Sequence, residues 1–419
     1  MSAFNRQFIL AEIIKIGFIP MIELIPEPDI SKANLAEMYA YRLQRIRAAM
    51  AKHDIALAVL TSPVTMRYAV NFDEYLLFQS HIPAASLFIP LEGPVTLFGA
   101  SQKHHPNVDQ YRSSRFATPF DGGLDLTSHC QKVVTDIERF LSTCKLKTDA
   151  NKIALERMSP LVSQELATKG YQLVDGEALV ESARLIKSDT ELDCIRHSIA
   201  VAEYGIQLMH QELRPGITEN QLWSVIHQTN VAHGGDWIEG KMLASGPRTN
   251  PWLQEASNRI IKAGDMVAFD TDMIGPMGYL ADISRSWICG GGSGTPSQRE
   301  AYQHAYEEIH YNMELLKPGV SFAELSEKAF PRADKFREQR YVCAFHGAGM
   351  SDEYPKIYYQ EDWQNNGFSG ELEENMVLCV ESYSGVKGGH DGVKLEEMVL
   401  ITANGYKKLS SYPYEQALL

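Results

Sequence analysis

Residues 265–285, DMVAFDTDMIGPMGYLADISR, are the stretch from which the fold of this chain is read. Met266 to Phe269 is a short apolar run of strand character, and Gly275-Pro276-Met277-Gly278 turns the chain back on itself. Asp270 and Asp272 lie two apart, so on a continuing strand both carboxylates face one side. Asp282 returns on the second arm, between Ala281 and Ile283. Three carboxylates converging on one face of a hairpin repel one another unless a cation neutralises them.

Outward from this hairpin the carboxyl-terminal half repeats itself. Asp265-Met266-Val267-Ala268-Phe269-Asp270 is echoed by Asn375-Met376-Val377-Leu378-Cys379-Val380-Glu381. Leu213-Arg214-Pro215-Gly216-Ile217-Thr218 is echoed by Leu316-Lys317-Pro318-Gly319-Val320-Ser321. Each of the latter copies ends one helix, turns at Pro-Gly and opens another with a capping box, Thr218 with Gln221 and Ser321 with Glu324. Two echoes in the same order predict a duplicated unit whose site lies on the pseudo-symmetry axis between its halves. Glu381 and Glu396 add two acids on apolar strands, and His346 supplies an imidazole between Phe345 and Gly347. Five carboxylates and one imidazole make an oxygen-rich site suited to a pair of Mn, Fe, Co or Zn ions, unlike a Cys-rich structural zinc. The competing reading, that each acid is a solvated turn residue, sits poorly with the apolar strands that embed them. Arg285 reads as a counter-ion for the cluster.

The amino-terminal half has a different pattern. Helical spacing from Leu35 to His53 leads into a buried strand, Ile55 to Leu60, followed by strands at Ser86–Ile89 and Val95–Phe98 around the turn Glu92-Gly93-Pro94. Helices near 131–142 and 161–169 alternate with strands at 152–155 and 171–174, which predicts an α/β domain. Ser188 and Glu191 form a capping box that opens a helix running to about Leu213. The expected division is therefore a domain over 1–187 and a metal-binding domain over 188–419.

An excess of acids, 53 Asp and Glu against 39 Lys and Arg, argues against a phosphate-tracking surface, so no nucleic-acid partner is expected. Six scattered cysteines without a CxxC pair fit reduced thiols, and a cytoplasmic location is the expectation. The apolar amino terminus, Phe8 to Pro20, is broken by Glu12 and Lys15, so no membrane span is expected there. It reads as an amphipathic arm packed on the body or on a partner subunit.

At the acidic residues the chain resembles the pita-bread metallopeptidases, the family of methionine aminopeptidase, aminopeptidase P, prolidase and creatinase. The resemblance covers roughly residues 188–410, with a creatinase-like amino-terminal domain before them. The family pattern falls here on Asp270 or Asp272, Asp282, His346 of His346-Gly347-Ala348-Gly349, Glu381 and Glu396. It implies that Asp282 and Glu396 bridge two metals, with His346 and Glu381 on one ion and Asp270 or Asp272 on the other. Peptidases of the family carry a Pro-His pair after a Ser-Gly run, where this chain has Pro251-Trp252. They carry a second His after His-Gly-x-Gly, where this chain has Asp352-Glu353-Tyr354-Pro355.

Those departures resemble the DddP type of dimethylsulfoniopropionate lyase, a branch of the family, as do Gly234–Glu239, Leu243–Trp252 and Tyr412-Pro413-Tyr414. The branch implies Asp270, Asp272, Asp282, His346, Glu381 and Glu396 as ligands of two divalent ions, with iron the metal. It further implies Asp352 as catalytic base and Tyr341 as a residue in contact with the substrate. Phe78 stands on a substrate-facing loop where the branch is expected to have Trp. Trp252, in place of a His, offers an aromatic face to a sulfonium. The implied reaction is metal-assisted β-elimination of a small sulfonium carboxylate to dimethyl sulfide and acrylate, by a homodimer. Two other readings stay open from the sequence: an X-Pro dipeptidase or aminopeptidase with altered proton relays, and a non-catalytic binding module on the same fold.

Overall fold

The computed structural model describes residues 22–99, 101, 103–113, 117–144 and 151–419, so the arm at Phe8–Pro20 lies outside it. The apolar runs of the first half form one sheet of β1 (Leu57–Leu60), β2 (Ser86–Pro90), β3 (Thr96–Phe98), β4 (Gln110–Arg112), β5 (Lys152–Leu155) and β6 (Gln172–Asp175). Their spatial order is β4-β3-β2-β1-β5-β6. Central β1 is buried at every residue, because both of its faces are covered. Ala58 and Leu60 pack with Ile46 and Met50 of the helix Lys32–Lys52. Leu57 and Val59 pack with Val133, Ile137 and Phe140 of the helix Thr127–Thr143. Helices on both faces of a mixed sheet give the α/β class expected from the strand and helix alternation.

The helix Gly176–Arg184 closes this half, capped by the Asp175 side chain accepting from Ala178 N. Ser188 and Glu191 then form the reciprocal capping box that starts the helix Asp189–Glu212. The second half holds β7 (Trp237–Ile238), β8 (Leu243–Ser245), β9 (Met266–Phe269), β10 (Met273–Ile274), β11 (Leu280–Ala281) and β12 (Arg285–Ile288), in sheets ordered β11-β10-β7 and β12-β9-β8. A further sheet, β14-β13-β15-β16-β17, is built from β13 (Phe345–Ala348), β14 (Asp352–Ile357), β15 (Val377–Gly385), β16 (Gly392–Thr402) and β17 (Gly405–Lys408).

The internal echoes correspond to equivalent backbone contacts. Gly216 N donates to Ile261 O at 2.9 Å and Gly319 N to Leu372 O at 2.8 Å. Thr218 bridges to Ile260 just as Ser321 bridges to Glu371. Thr218 and Gln221 form the full capping box. The second copy departs from expectation. Ser321 accepts from Glu324 N, but the Glu324 carboxylate takes Lys328 Nζ at 2.6 Å, one turn on. An ion pair has replaced half of the box.

One ionic cluster joins the two halves. Glu353 on β14, its side chain 1 % exposed, meets Lys187 Nζ at 2.9 Å and Arg184 Nε at 3.2 Å. It also accepts from Met350 N at 2.8 Å, which fixes the turn before β14.

Candidate metal centre

The centre is assembled from the long antiparallel pair β15–β16 and the hairpin that faces it. In the β15–β16 register Glu381 stands directly opposite Glu396, and all of β15 is buried. Like charges directly opposite on buried strands are destabilising unless a cation lies between them. Strand alternation puts Cys379 on the face of Glu381, and Lys394 and Met398 on the face of Glu396. β13, on the other flank of β15, sets His346 opposite Cys379. His346 Nε2 lies 2.9 Å from Glu381 Oε1, 3.4 Å from Glu396 Oε1 and 3.7 Å from Asp282 Oδ2.

The hairpin delivers its acids differently from the expected alternation. β9 ends at Phe269, and Asp272 turns with φ +36°, in the left-handed region. This turn, not a continuous strand, is what brings Asp272 N to 3.3 Å from Asp282 Oδ1. Ser284 Oγ donates to Asp270 Oδ1 at 2.6 Å, and it lies 2.8 Å from Glu396 Oε2, so the hairpin is tied to β16.

Three overlapping donor groups result, each with ligand atoms within 4.8 Å of one another: Asp282, His346, Cys379 and Glu396; Asp270, Glu381 and Glu396; Asp270, Asp272 and Asp282. All six sequence-derived ligand candidates fall within them. Burial, with neighbouring carboxylates adding, raises Asp270 to about 7 and holds Asp272 and Asp282 well above the ordinary carboxylate range. Glu396 Oε1 is buried with no hydrogen-bond partner. Crowded aspartates that resist ionisation, an orphaned carboxylate oxygen and an imidazole aimed between them fit divalent cations.

The profile of metallopeptidase family M24 matches residues 193–403, a span that contains every one of these donors. The chain belongs to metallopeptidase family M24. Among its relatives is the dimethylsulfoniopropionate lyase DddP of Roseovarius nubinhibens, 34% identical, covering 92% of this chain and 88% of the relative. The enzyme of the same name from Roseobacter denitrificans is 33% identical over the same shares. A putative dipeptidase, YkvY of Bacillus subtilis, is 28% identical over 67% of this chain and 75% of its own. In fold, this M24 chain matches the Xaa-Pro dipeptidase of Bacillus anthracis with a TM-score of 0.70 at 19% identity, covering 90% and 99% of the two chains. The prolidase of Pyrococcus furiosus gives 0.67 at 19% identity over 87% and 99%. The pita-bread architecture read from the sequence is the architecture of the molecule.

Around the M24 donors lie the other residues singled out from the sequence. Asp352 opens β14, with Oδ1 3.7 Å from His346 Nδ1, and its side chain is 61% exposed. It stands where two cavities meet. One, of about 580 Å³, reaches Asp272, His346 and Glu381 past Tyr341 and Leu253. The other, of about 530 Å³, runs to Leu77, His81, Arg157 and Glu177 of the first half, with Trp237 and Glu239 on its far wall. Surrounding protein raises the Asp352 pKa, His346 opposes the shift, and Glu381 and Glu396 add to it. Trp252 is buried and stacks on Tyr383 with ring centroids 6.0 Å apart, while Tyr341 packs against the same cluster. Trp287, the remaining tryptophan of the hairpin region, is core, stacked on His210.

Phe78 is not brought to the centre. The helix Leu76–His81 turns Leu77, Ser80 and His81 toward the Asp352 cavity, and Phe78 with Tyr75 and Gln79 toward a separate one of about 300 Å³. Arg285 also departs from expectation. Its guanidinium pairs with Glu397 at 2.8 Å, because alternation along β16 sends Glu397 to the face opposite Glu396. The counter-ion of the cluster is Lys394, which sequence reasoning missed. Its fully buried Nζ lies 2.9 Å from Asp270 Oδ2, 2.7 Å from Glu381 Oε2 and 2.9 Å from Glu396 Oε2. Burial works against the ammonium, but those three carboxylates outweigh it and hold Lys394 well above the ordinary lysine range. Cys379 is a member of the donor groups that sequence reasoning also missed.

Proposed function

We propose that this protein is a metal-dependent dimethylsulfoniopropionate lyase. The observation that carries the reading is Asp352: a carboxylate, not an imidazole, faces His346 at the meeting of the two cavities. The relatives named for this lyase activity, similar over 92% of the chain, support it.

In this reading Asp352 takes the proton from the carbon beside the substrate carboxylate. The electron pair released forms the carbon–carbon double bond of acrylate, and the bond to sulfur breaks, so neutral dimethyl sulfide leaves with its electrons. A carboxylate whose pKa is raised is a better proton acceptor for this step. Tyr341, lining the cavity beside His346, contacts the substrate carboxylate. Asp270, Asp272, Asp282, His346, Glu381 and Glu396 would hold two divalent ions, iron in our assignment, with Mn, Co and Zn the other ions such donors accept. When bound, such ions supply Lewis-acid stabilisation of the charge that gathers on the substrate carboxylate. We further assign two domains, 1–187 and 188–419, in a cytoplasmic homodimer, for which sedimentation of the purified protein at twice the chain mass is the check.

The decisive assay is headspace dimethyl sulfide from iron-loaded protein supplied with dimethylsulfoniopropionate, run beside proline release from X-Pro dipeptides. Sulfide without proline is expected. Proline without sulfide returns the chain to the dipeptidases, and a metal-free, inactive yet folded protein makes it a binding module.

Trp252 contributes to substrate affinity through the aromatic cluster it forms behind Tyr341. It lines neither cavity, so it does not make the direct contact to a sulfonium expected from the sequence. Trp252→Leu is therefore expected to raise KM only modestly, through looser packing behind Tyr341. An unchanged KM removes Trp252 from substrate binding.

A further inference from the structure

Lys394 contacts the centre at four oxygens, the three carboxylates already named and Ser284 Oγ at 2.9 Å. From Glu381 and Glu396 it takes the Oε2 atoms, and the Oε1 atoms of both are the ones turned toward His346. Asp270 likewise gives Lys394 its Oδ2, while Oδ1 accepts from Ser284. One ammonium thus sorts the oxygens of three carboxylates into those it holds and those left for another cation. Its face toward the cavity is covered by the Tyr341 ring, with Nζ 4.5 Å from the ring centroid. The charges are also matched. Once ionised around metal, the five carboxylates with one ammonium carry four negative charges, the number that two divalent ions neutralise.

We infer that Lys394 is a resident cation of the centre, a positioning residue that holds three ligand carboxylates in register before metal arrives. The inference rests on the metal-centre reading above and not on the lyase activity. Lys394 and the bound ions neutralise the same acids, so each does more when the other is missing. In the metal-free protein Lys394 is the counter-ion of the buried acids. In the metal-loaded protein the ions share that work. A lysine that merely filled space would support both forms equally.

The test is the melting temperature of the full chain, stripped by chelator and then refilled with Mn(II), for wild type, Lys394→Met and Lys394→Arg. The gap between filled and stripped forms is expected to widen in Lys394→Met by roughly 5 °C or more. Lys394→Arg keeps the charge, so its gap stays at the wild-type value even if the larger side chain lowers both temperatures. A Lys394→Met chain that folds only with Mn(II) is the extreme of the expected result. A gap equal to or narrower than wild type overturns the inference, as does a Lys394→Met chain that cannot fold with Mn(II) present. If the wild-type melting temperature ignores Mn(II), the metal-centre reading falls first and this inference with it.

Discussion

Replacing Asp352 with alanine is expected to lower kcat for dimethyl sulfide release by about 10²–10⁴-fold, the usual contribution of a positioned general base. Bound metal should stay at the wild-type level, because Asp352 belongs to none of the three donor groups. Stability should also hold, within about 0.5 kcal/mol, since the Asp352 side chain is exposed and its buried neighbour His346 keeps Glu381 at 2.9 Å. Asp352→Asn keeps the shape but replaces a basic carboxylate with a non-basic amide, so it should be as inactive as alanine. Metal analysis beside single-turnover kinetics checks the assignment. Loss of metal together with activity would make Asp352 a ligand, and retention of activity would move the base elsewhere.

The neighbouring acid is expected to matter for a different reason. Glu353→Ala removes the shared partner of Lys187 and Arg184, both of which stay buried at 3% side-chain exposure. Breaking a buried ion pair from one side typically costs about 3–5 kcal/mol; here Lys187 is left without a carboxylate, while Arg184 keeps Glu181. The corresponding fall in melting temperature is roughly 6–20 °C. Replacing Glu353 and Lys187 together by apolar residues should recover most of the loss, because Arg184 then keeps Glu181 and no charge is stranded. Burial acts to raise the Glu353 pKa, but Lys187 and Arg184 overcome it and hold the group below the ordinary range. The stabilisation is therefore present above the titration range of an unfolded glutamate. It disappears as pH falls through the lowered native value. Equal melting temperatures for wild type and Glu353→Ala would show that the two halves are not joined here.

The six ligand candidates were legible because their signal is local and periodic: acids embedded in apolar strands, and an imidazole beside glycine. The α/β class was legible for the same reason, since β1 is an unbroken apolar run and its covering helices carry apolar stripes at helical spacing. What failed were inferences about which way a side chain points. Arg285 follows the acidic hairpin in sequence, yet its partner is Glu397. Lys394 sits two residues before Glu396 between Val393 and Leu395, so alternation alone would have set it on the acid face. Phe78 failed because a six-residue helix, not a loop, carries it, and one residue of rotation separates Leu77 at the Asp352 cavity from Phe78 outside it. The Asp272 turn was invisible because a left-handed residue breaks strand alternation without a glycine to announce it.

Part of the wall around Asp352 comes from the first half of the chain, from Leu77, His81, Arg157 and Glu177, while the metal donors come wholly from the second. Part of the cavity beside Asp352 is thus carried on a stretch of polypeptide separate from the metal donors. Changes in the helix Leu76–His81 can retune which molecules are admitted while the ligand constellation stays untouched, a division of labour that lets one scaffold diversify its diet without relearning its chemistry.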